Sequence, residues 1–369
     1  MSRRIALVIP TMDRGGAEKQ LCLLAENLPR DTFDVHVILL TRDGPRSESL
    51  RAAGIPVTVI GKRFKADPTA LFRLRRELVR LKPDVVHTWI FAANSFGRAA
   101  ARLARVPTIM ASERCVDSWK TESHFFVDRR LARLTDTITT NSTGVVDFYA
   151  AHGIDRDKFC VIPNGIEPPS GNRIERDEAF ARLQVPADRK LILAVGRLWP
   201  QKRYRDLIWA AELLGTTRED TTLVILGDGP QRGELLRFRD SVTIPDRVRF
   251  AGTRHDVAEL LPHADVFWIG SEYEGQSNSL IEAMQAAVPV VASDIPGNRD
   301  LVIPGVTGML VPMGDTADFA RQTMTLLESP ELAKKLAKSA QNRIATEFTV
   351  DAMVQRHAEL YLRCQGRTS

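Results

Sequence analysis

Apolar and polar positions follow a two-part rhythm along this chain. Short runs rich in β-branched and other apolar residues recur as "RIALVI" (4–9), "DVHVILL" (34–40), "PVTVI" (56–60), "DVVHTW" (84–89), "PTIMA" (107–111), "DTITT" (136–140) and "FCVIP" (159–163). Amphipathic stretches separate most of them, which is the βαβ alternation of a parallel sheet covered on both faces. "IEPPSGNRIERDE" (166–178) breaks the pattern with two prolines, a glycine and mixed charge, and reads as a linker. The rhythm then restarts with "LILAVG" (191–196), "TTLVILG" (221–227), "RVRFAG" (247–252), "ADVFWIG" (264–270), "PVVAS" (289–293) and "GMLVP" (308–312). Two helical segments follow, roughly 315–346 and 349–364. The pattern predicts two doubly wound α/β domains in tandem. Such sheets bind ligands at the C-terminal ends of their strands.

Length agrees: 369 residues exceed what one hydrophobic core usually organises. With 44% apolar and 26% charged residues the chain is globular, not disordered. No apolar run approaches the ~18 residues of a membrane span. The opening "MSRRIALVIPT" has too short an apolar run for a signal peptide and reads as a first buried strand. Cys22, Cys115, Cys160 and Cys364 form no CxxC pair and have no histidine at metal-ligand spacing, so free thiols in a reducing cytoplasm are expected.

Charge adds an asymmetry. Residues 1–170 hold 26 Lys+Arg against 19 Asp+Glu, a net +7, whereas the remainder holds 25 against 27. Much of the excess lies in "GKRFKADPTALFRLRRELVRLKP" (61–83), with eight basic and two acidic residues. Leu71, Leu74, Leu78 and Leu81 recur there at helical spacing, predicting an amphipathic helix with a basic face. That face is either a solvated exterior or a patch for anionic lipid headgroups or a phosphate-bearing acceptor.

Chemistry gathers at the strand ends. After the first strand, Gly15-Gly16 precede a helix; adjacent glycines admit close backbone approach, and the helix N-terminus favours an anion. A plain tight turn is the alternative, and no GxGxxG fingerprint is present. Asn164-Gly165 in "PNGIE" reads as a bend before the linker, and "GDGP" (227–230) as a turn. "GRLWPQKR" places Arg197 and Lys202 ahead of a helix, where two cations suit a diphosphate or are ordinary surface charge.

"EYEGQSNSLIE" sets Glu274 and Glu282 on either side of an expected helix start near Ser279. A capping box Ser279-x-x-Glu282 would account for Glu282 but not for Glu274. Backbone amides at Ser277, Asn278, Ser279 and Leu280 would make an anion site, and a carboxylate on each side could hold sugar hydroxyls. A nucleotide sugar needs that combination.

Here a resemblance enters. "GRLWPQKR", "GDGP", "EGQSNSLIEAM", "PVVASDIPGNRDLV" and "GVTGMLVP" resemble the donor domain of the GT-B retaining glycosyltransferases of family 4. "GGAEKQL", "DVVHTW" and "VIPNGIE" are similar to that family's N-terminal half, so the likeness runs nearly end to end. It implies a GT-B architecture of two Rossmann-like domains facing a central cleft. The acceptor domain would span 1–170 and the donor domain 171–348, and a C-terminal helix in 349–369 would return to the first domain. It implies Arg197 and Lys202 on the diphosphate, Glu274 on the donor sugar, Glu282 on the ribose, Gly16 near the phosphates and Arg254 near the base.

One place departs from the family pattern. Many members carry a histidine after the fifth strand, where this chain has Ser112, Glu113 and Arg114 in the manner of a subgroup. His87, at the end of the fourth strand, is a further acceptor-side candidate or a buried core histidine. The expected activity is retaining transfer of a hexose or N-acetylhexosamine from a UDP-linked donor to a glycan or lipid-linked acceptor. No metal or other cofactor and no nucleic acid is expected. The expected location is cytoplasmic, peripheral on the inner membrane face through 61–83. A nucleotide-sugar epimerase or hydrolase using Glu113 as acid/base, or a non-catalytic sensor, are the alternatives.

Overall fold

The computed structural model describes residues 2–169, 172–242 and 245–363; Cys364 and residues 170–171 of the expected linker lie outside these. Thirteen strands form among the described residues, one in each expected segment. The chain divides into two compact units, Met1–Gly165 with Thr349–Ser369, and Ile166–Phe348. The division therefore falls at 165/166, not at 170/171.

The first unit's sheet contains β1 (Arg3–Ile9), β2 (Phe33–Leu39), β3 (Val57–Val59), β4 (Val85–Trp89), β5 (Thr108–Glu113), β6 (Thr137–Thr140) and β7 (Phe159–Val161). They lie in the order β3-β2-β1-β4-β5-β6-β7, all parallel. The second unit has β8 (Lys190–Val195), β9 (Thr221–Leu226), β10 (Val248–Gly252), β11 (Val266–Ile269), β12 (Val290–Ser293) and β13 (Met309–Val311). Their order is β10-β9-β8-β11-β12-β13, again all parallel. Each sheet reverses its winding beside its first strand, at β1/β4 and at β8/β11. A crevice opens at such a switch point.

The apolar runs form central strands because both of their faces are buried. Ile5, Leu7 and Ile9 enter one core of the first unit while Ala6 and Val8 enter the core on the opposite face. In β8, Leu191 and Leu193 enter one core and Ile192 and Ala194 the other.

Helix Pro68–Leu81 forms as its spacing predicts. Asp67 caps it by accepting from the Ala70 amide at 3.1 Å, Pro68 opens its first turn, and Lys82 ends it in the left-handed region. Ala70, Leu74, Leu78 and Leu81 are buried. The segment expected as one helix over 315–346 is two, Thr316–Glu328 and Pro330–Glu347. Pro330 has no amide hydrogen to continue the first helix, but suits the start of the next.

The last helix, Val350–Arg363, places Val350, Met353, Val354 and Tyr361 in the first unit's core beside helix Gly16–Asn27. A Cβ at Gly165 would lie 2.9 Å from the Val350 Cα, so only glycine allows this approach. Gln20 fixes the same peptide from the other side, donating to its carbonyl at 2.9 Å and accepting from its amide at 2.8 Å. Among the described residues no helix is long and apolar enough to cross a membrane.

Candidate active site

The second unit's switch point brings together side chains that are 72 residues apart in sequence. From the end of β8 the chain passes Gly196 and Arg197 into a single turn, Pro200–Lys202; from the end of β11 it runs through Ser271 to Glu274. Lys202 Nζ donates to Glu274 Oε1, and Ser271 Oγ donates to the same oxygen at 2.7 Å. Both members of the ion pair are largely buried, with side chains 14% and 10% exposed. A charge pair so far out of water is held by geometry, since either partner alone would be costly there. Buried Tyr204 lies beside Gly196, and desolvation, then the Glu274 charge, pushes its hydroxyl well above the ordinary range.

The loop carrying Glu274 is anchored from below. Ser293 Oγ donates to the Ser271 carbonyl at 2.6 Å, and Asn298 Nδ2 donates to the Ser293 carbonyl at 2.9 Å. A Cβ at Gly297 would stand 2.2 Å from the Gly275 carbonyl oxygen, so this glycine lets helix Pro296–Arg299 lie directly under the loop. These groups place Glu274 by hydrogen bonding and contact, leaving little freedom to the loop.

The following helix starts earlier than its sequence suggested. It spans Asn278–Gln285 with Ser277 as N-cap, and the Ser277 side chain makes no cap hydrogen bond. Ser279 is its second residue and Glu282 its fifth, so the expected capping box does not form. Ser277 Oγ instead meets Ser279 Oγ at 3.0 Å. The first intrahelical bond runs from the Ile281 amide to the Ser277 carbonyl at 3.1 Å. The amides of Asn278, Ser279 and Leu280 thus belong to the first turn, the positive end of the helix dipole. Glu282 is half-buried on the next turn.

Two expected contacts are disposed differently. Arg197 is exposed, with its guanidinium 5.4 Å from the Trp199 ring centre. Arg254 is committed to its own neighbour, donating to Asp256 through Nε at 2.8 Å and Nη2 at 2.6 Å. These bonds hold the Asp256 carboxyl down at about 2. An arginine two residues from an acid closes this fork locally.

In the first unit, Gly15 is the N-cap of helix Gly16–Asn27 and Gly16 its first residue, exposed. The Glu18 carboxylate folds over Gly15: a Cβ there would sit 2.1 Å from Glu18 Oε2. The close approach that the two glycines permit is therefore taken up, at least in part, by the chain's own carboxylate.

His87 takes the second of its two readings, the buried core histidine. It sits inside β4, fully buried, with Nδ1 2.7 Å from Tyr361 Oη and Nε2 3.0 Å from Thr139 Oγ1. Burial, with His357 and Arg114 adding to it, holds its imidazole well below the ordinary value. It is a core histidine and offers no base to a crevice.

Glu113 is buried at the end of β5, where it accepts from Tyr149 Oη at 3.0 Å. Lys120, between Glu113, Asp117 and Asp128, and the Arg98–Asp128 pair complete a closed network. Desolvation, partly offset by Lys120, raises the Glu113 carboxyl. Arg114 is nearly buried, donates to Asn164 Oδ1 and stands 4.9 Å over the Trp89 ring. Ser112 is fully buried.

Comparison with known proteins gives this geometry a family. Residues 14–169 match the model described as Glycosyltransferase Family 4, and residues 175–343 the one described as Glycosyl transferases group 1. The chain is a family 4 glycosyltransferase. The glycosyltransferase is 27% identical over 359 residues to the Escherichia coli UDP-Gal:alpha-D-GlcNAc-diphosphoundecaprenol alpha-1,3-galactosyltransferase, covering 91% of each chain. It is 31% identical over 255 residues to a GDP-mannose-dependent alpha-mannosyltransferase of Mycobacterium tuberculosis, covering 66% of this chain and 64% of that one. The crystal structure of Anabaena Alr3699/HepE in complex with UDP has a TM-score of 0.86 at 24% identity, covering 97% of this chain and 99% of that one. The fold is that of the GT-B glycosyltransferases.

Sequence reasoning missed several residues that position this enzyme's loops. Gly297 and Asn298 lie in a stretch quoted for its likeness to the family and Ser271 just before another, yet nothing local marks them as supports for Glu274. Gly227, at φ +142, has its Cα against Gly196, where a Cβ would lie 2.0 Å from the Gly196 carbonyl oxygen. The glycine of "GDGP" is thus a spacer behind the Arg197 loop, not merely a turn residue.

Proposed function

We propose that the glycosyltransferase moves a hexosyl or N-acetylhexosaminyl group, with retention, from a UDP-linked sugar to a glycan or lipid-linked acceptor without a metal ion. The observation that carries the reading is the buried Lys202–Glu274 pair at the β8/β11 switch point, next in the chain to an uncapped helix start. The helix start suits an anion, Glu274 suits sugar hydroxyls, and Lys202 with Arg197 supplies countercharge for a departing diphosphate. UDP is favoured over GDP because the relative matched over most of its length is named for UDP-Gal and the structural neighbour holds UDP, although the mannosyltransferase is named for GDP-mannose.

Retention is assigned to front-face attack. The leaving diphosphate accepts the acceptor's proton as oxocarbenium character develops, and the protein contributes positioning and electrostatic stabilisation. The epimerase alternative is disfavoured because Glu113 faces Tyr149 and Lys120 inside a closed network. Acceptor docking is assigned to the first unit.

A panel of UDP-, GDP- and ADP-sugars tests the donor. UDP-sugars should raise the melting temperature most, since a ligand of the native state stabilises by mass action. Stabilisation by none of the three sinks the reading. Incubation with UDP-sugar alone should yield slow hydrolysis at most; a new UDP-sugar would make the protein an epimerase.

Glu282→Ala should raise KM for the donor with little change in kcat, as for a ribose contact present equally in ground and transition states. Glu274→Ala should lower kcat more than it raises KM. Normal donor affinity in Glu282→Ala removes Glu282 from the site.

A further inference from the structure

Unpartnered polar groups of the core gather in one recess of the first unit. Ten buried side-chain nitrogens and oxygens lack a hydrogen-bond partner among the described residues, and five of them are Trp89 Nε1, Ser112 Oγ, Arg114 Nη1, Asn141 Oδ1 and His357 Nε2. Trp89 and Ser112 are register partners at the ends of β4 and β5. Arg114 follows β5, and Asn141 follows β6. Arg114 Nη2 and Asn141 Nδ2 both donate to Asn164 Oδ1, the second at 3.4 Å, so their remaining polar atoms lie beside one shared oxygen. The Arg114 guanidinium stands 4.9 Å over the Trp89 ring, and the His357 ring of the last helix stacks on Trp89 at 6.1 Å. The recess is therefore at the C-terminal edge of the sheet, walled by the last helix.

A buried polar group without a partner costs free energy, and native cores hold few of them. Five together mark a place shaped for something else, and the charge there says what. Glu113, next in the chain, is turned to Tyr149 and Lys120, and among the described residues no acid pairs with Arg114. Burial alone pulls the Arg114 guanidinium down to about 9. A cation so far out of water calls for an anion. Three of the open groups donate: the guanidinium N–H, the indole N–H and the Ser112 hydroxyl. Two accept: Asn141 Oδ1, and His357 Nε2, whose ring donates from Nδ1 to the Met353 carbonyl at 2.9 Å. A bare carboxylate only accepts and would leave both acceptors open. A sugar phosphate supplies an oxyanion together with hydroxyl donors. Arg114 is the most exposed of the five at 8%, so the recess opens on its side.

We propose that this recess seats the phosphoryl group of a sugar phosphate carried by the acceptor. The phosphoryl oxygens accept from Arg114 Nη1, Trp89 Nε1 and Ser112 Oγ, and a sugar hydroxyl donates to Asn141 Oδ1. This rests on the reading that the acceptor docks on the first unit, and it names the chemical group which that unit recognises.

The full chain is titrated by calorimetry with N-acetylglucosamine 1-phosphate, N-acetylglucosamine and inorganic phosphate, each in excess UDP so that the donor's diphosphate groups are occupied. The sugar phosphate should bind, and the other two should bind about tenfold more weakly or less. Arg114→Met keeps the bulk and removes an unpaired buried cation. It should weaken sugar-phosphate binding about tenfold or more, with the melting temperature of the ligand-free protein unchanged or raised. Trp89→Phe keeps an aromatic ring without the N–H and should weaken binding several-fold. UDP affinity should match the parent's in both variants and reports their folding; no UDP binding by the parent strikes the donor reading and not this one. No sugar-phosphate binding by the parent means that water alone fills the recess, and overturns the proposal. Parent-like binding by Arg114→Met overturns it as well. Inorganic phosphate binding as tightly as the sugar phosphate overturns the acceptor assignment and makes the recess a site for free phosphate. N-acetylglucosamine binding as tightly removes the phosphoryl group from it.

Discussion

Lys202→Ala should lower kcat by roughly 10²–10³, the loss typical of removing one preorganised donor from developing charge. Arg197→Ala should fall in the same range, although the two residues are disposed differently. Lys202 is locked to Glu274, whereas Arg197 is exposed over Trp199 and can swing. The double variant should lose less than the product of the single losses, because both act on one leaving group. Glu274→Ala combined with Lys202→Ala should also be sub-multiplicative, since each single change leaves a nearly buried charge without its partner. Activity should persist in excess EDTA. Loss of activity in EDTA, with recovery on adding Mg²⁺ or Mn²⁺, would make the glutamates metal ligands and refute the electrostatic account. Single variants at Lys202 with kcat within a few-fold of the parent would refute it from the other side.

Acid should destabilise the first unit well before ordinary carboxylates titrate. His87 and His357 are fully buried and held neutral, His357 at about 3, with burial as the first cause for both. An unfolded histidine takes up a proton near pH 6.5. Below that value the unfolded chain binds more protons than the folded one, so stability falls as pH falls. The loss continues until pH reaches the folded-state values. Each histidine approaches about 1.4 kcal/mol per pH unit once the pH is well below 6.5, so the two together remove roughly 3 kcal/mol between about pH 6.5 and pH 5. Urea titrations across that range should show the first unit's transition moving steadily to lower denaturant. His357→Phe should remove about half of the slope, because Nδ1 donates to the Met353 carbonyl at 2.9 Å and Nε2 has no partner. A midpoint constant from about pH 7 to pH 5 would mean that these imidazoles are not kept neutral.

The architecture was legible because parallel strands buried on both faces read as nearly unbroken apolar runs. "RIALVI" and "LILAVG" could hardly be anything else between amphipathic stretches. Helix starts were harder. "QSNS" offers three cap-competent residues in succession, and local sequence cannot choose among them; the helix begins at Asn278, one residue before the expected start. His87 was ambiguous for a different reason. Its partner Tyr361 is 274 residues away, and only the returning helix turns a polar strand residue into a satisfied core group. Lys202 and Glu274 were each singled out, but their direct pairing depends on strand order, which puts β8 beside β11. The Arg254–Asp256 fork joins residues two apart, and the family likeness alone did not show it.

The last helix changes the order in which the molecule can be completed. Everything the second unit needs, Ile166–Phe348, has been synthesised before residue 349 appears. The first unit, although made first, still lacks Val350, Met353, Val354 and Tyr361 from its core and the hydroxyl that meets His87. On the ribosome the later-made half can therefore close while the earlier-made half waits, with part of one face of its sheet uncovered. Shielding of that open face falls to the nascent chain or to a chaperone, for as long as translation of the second half takes.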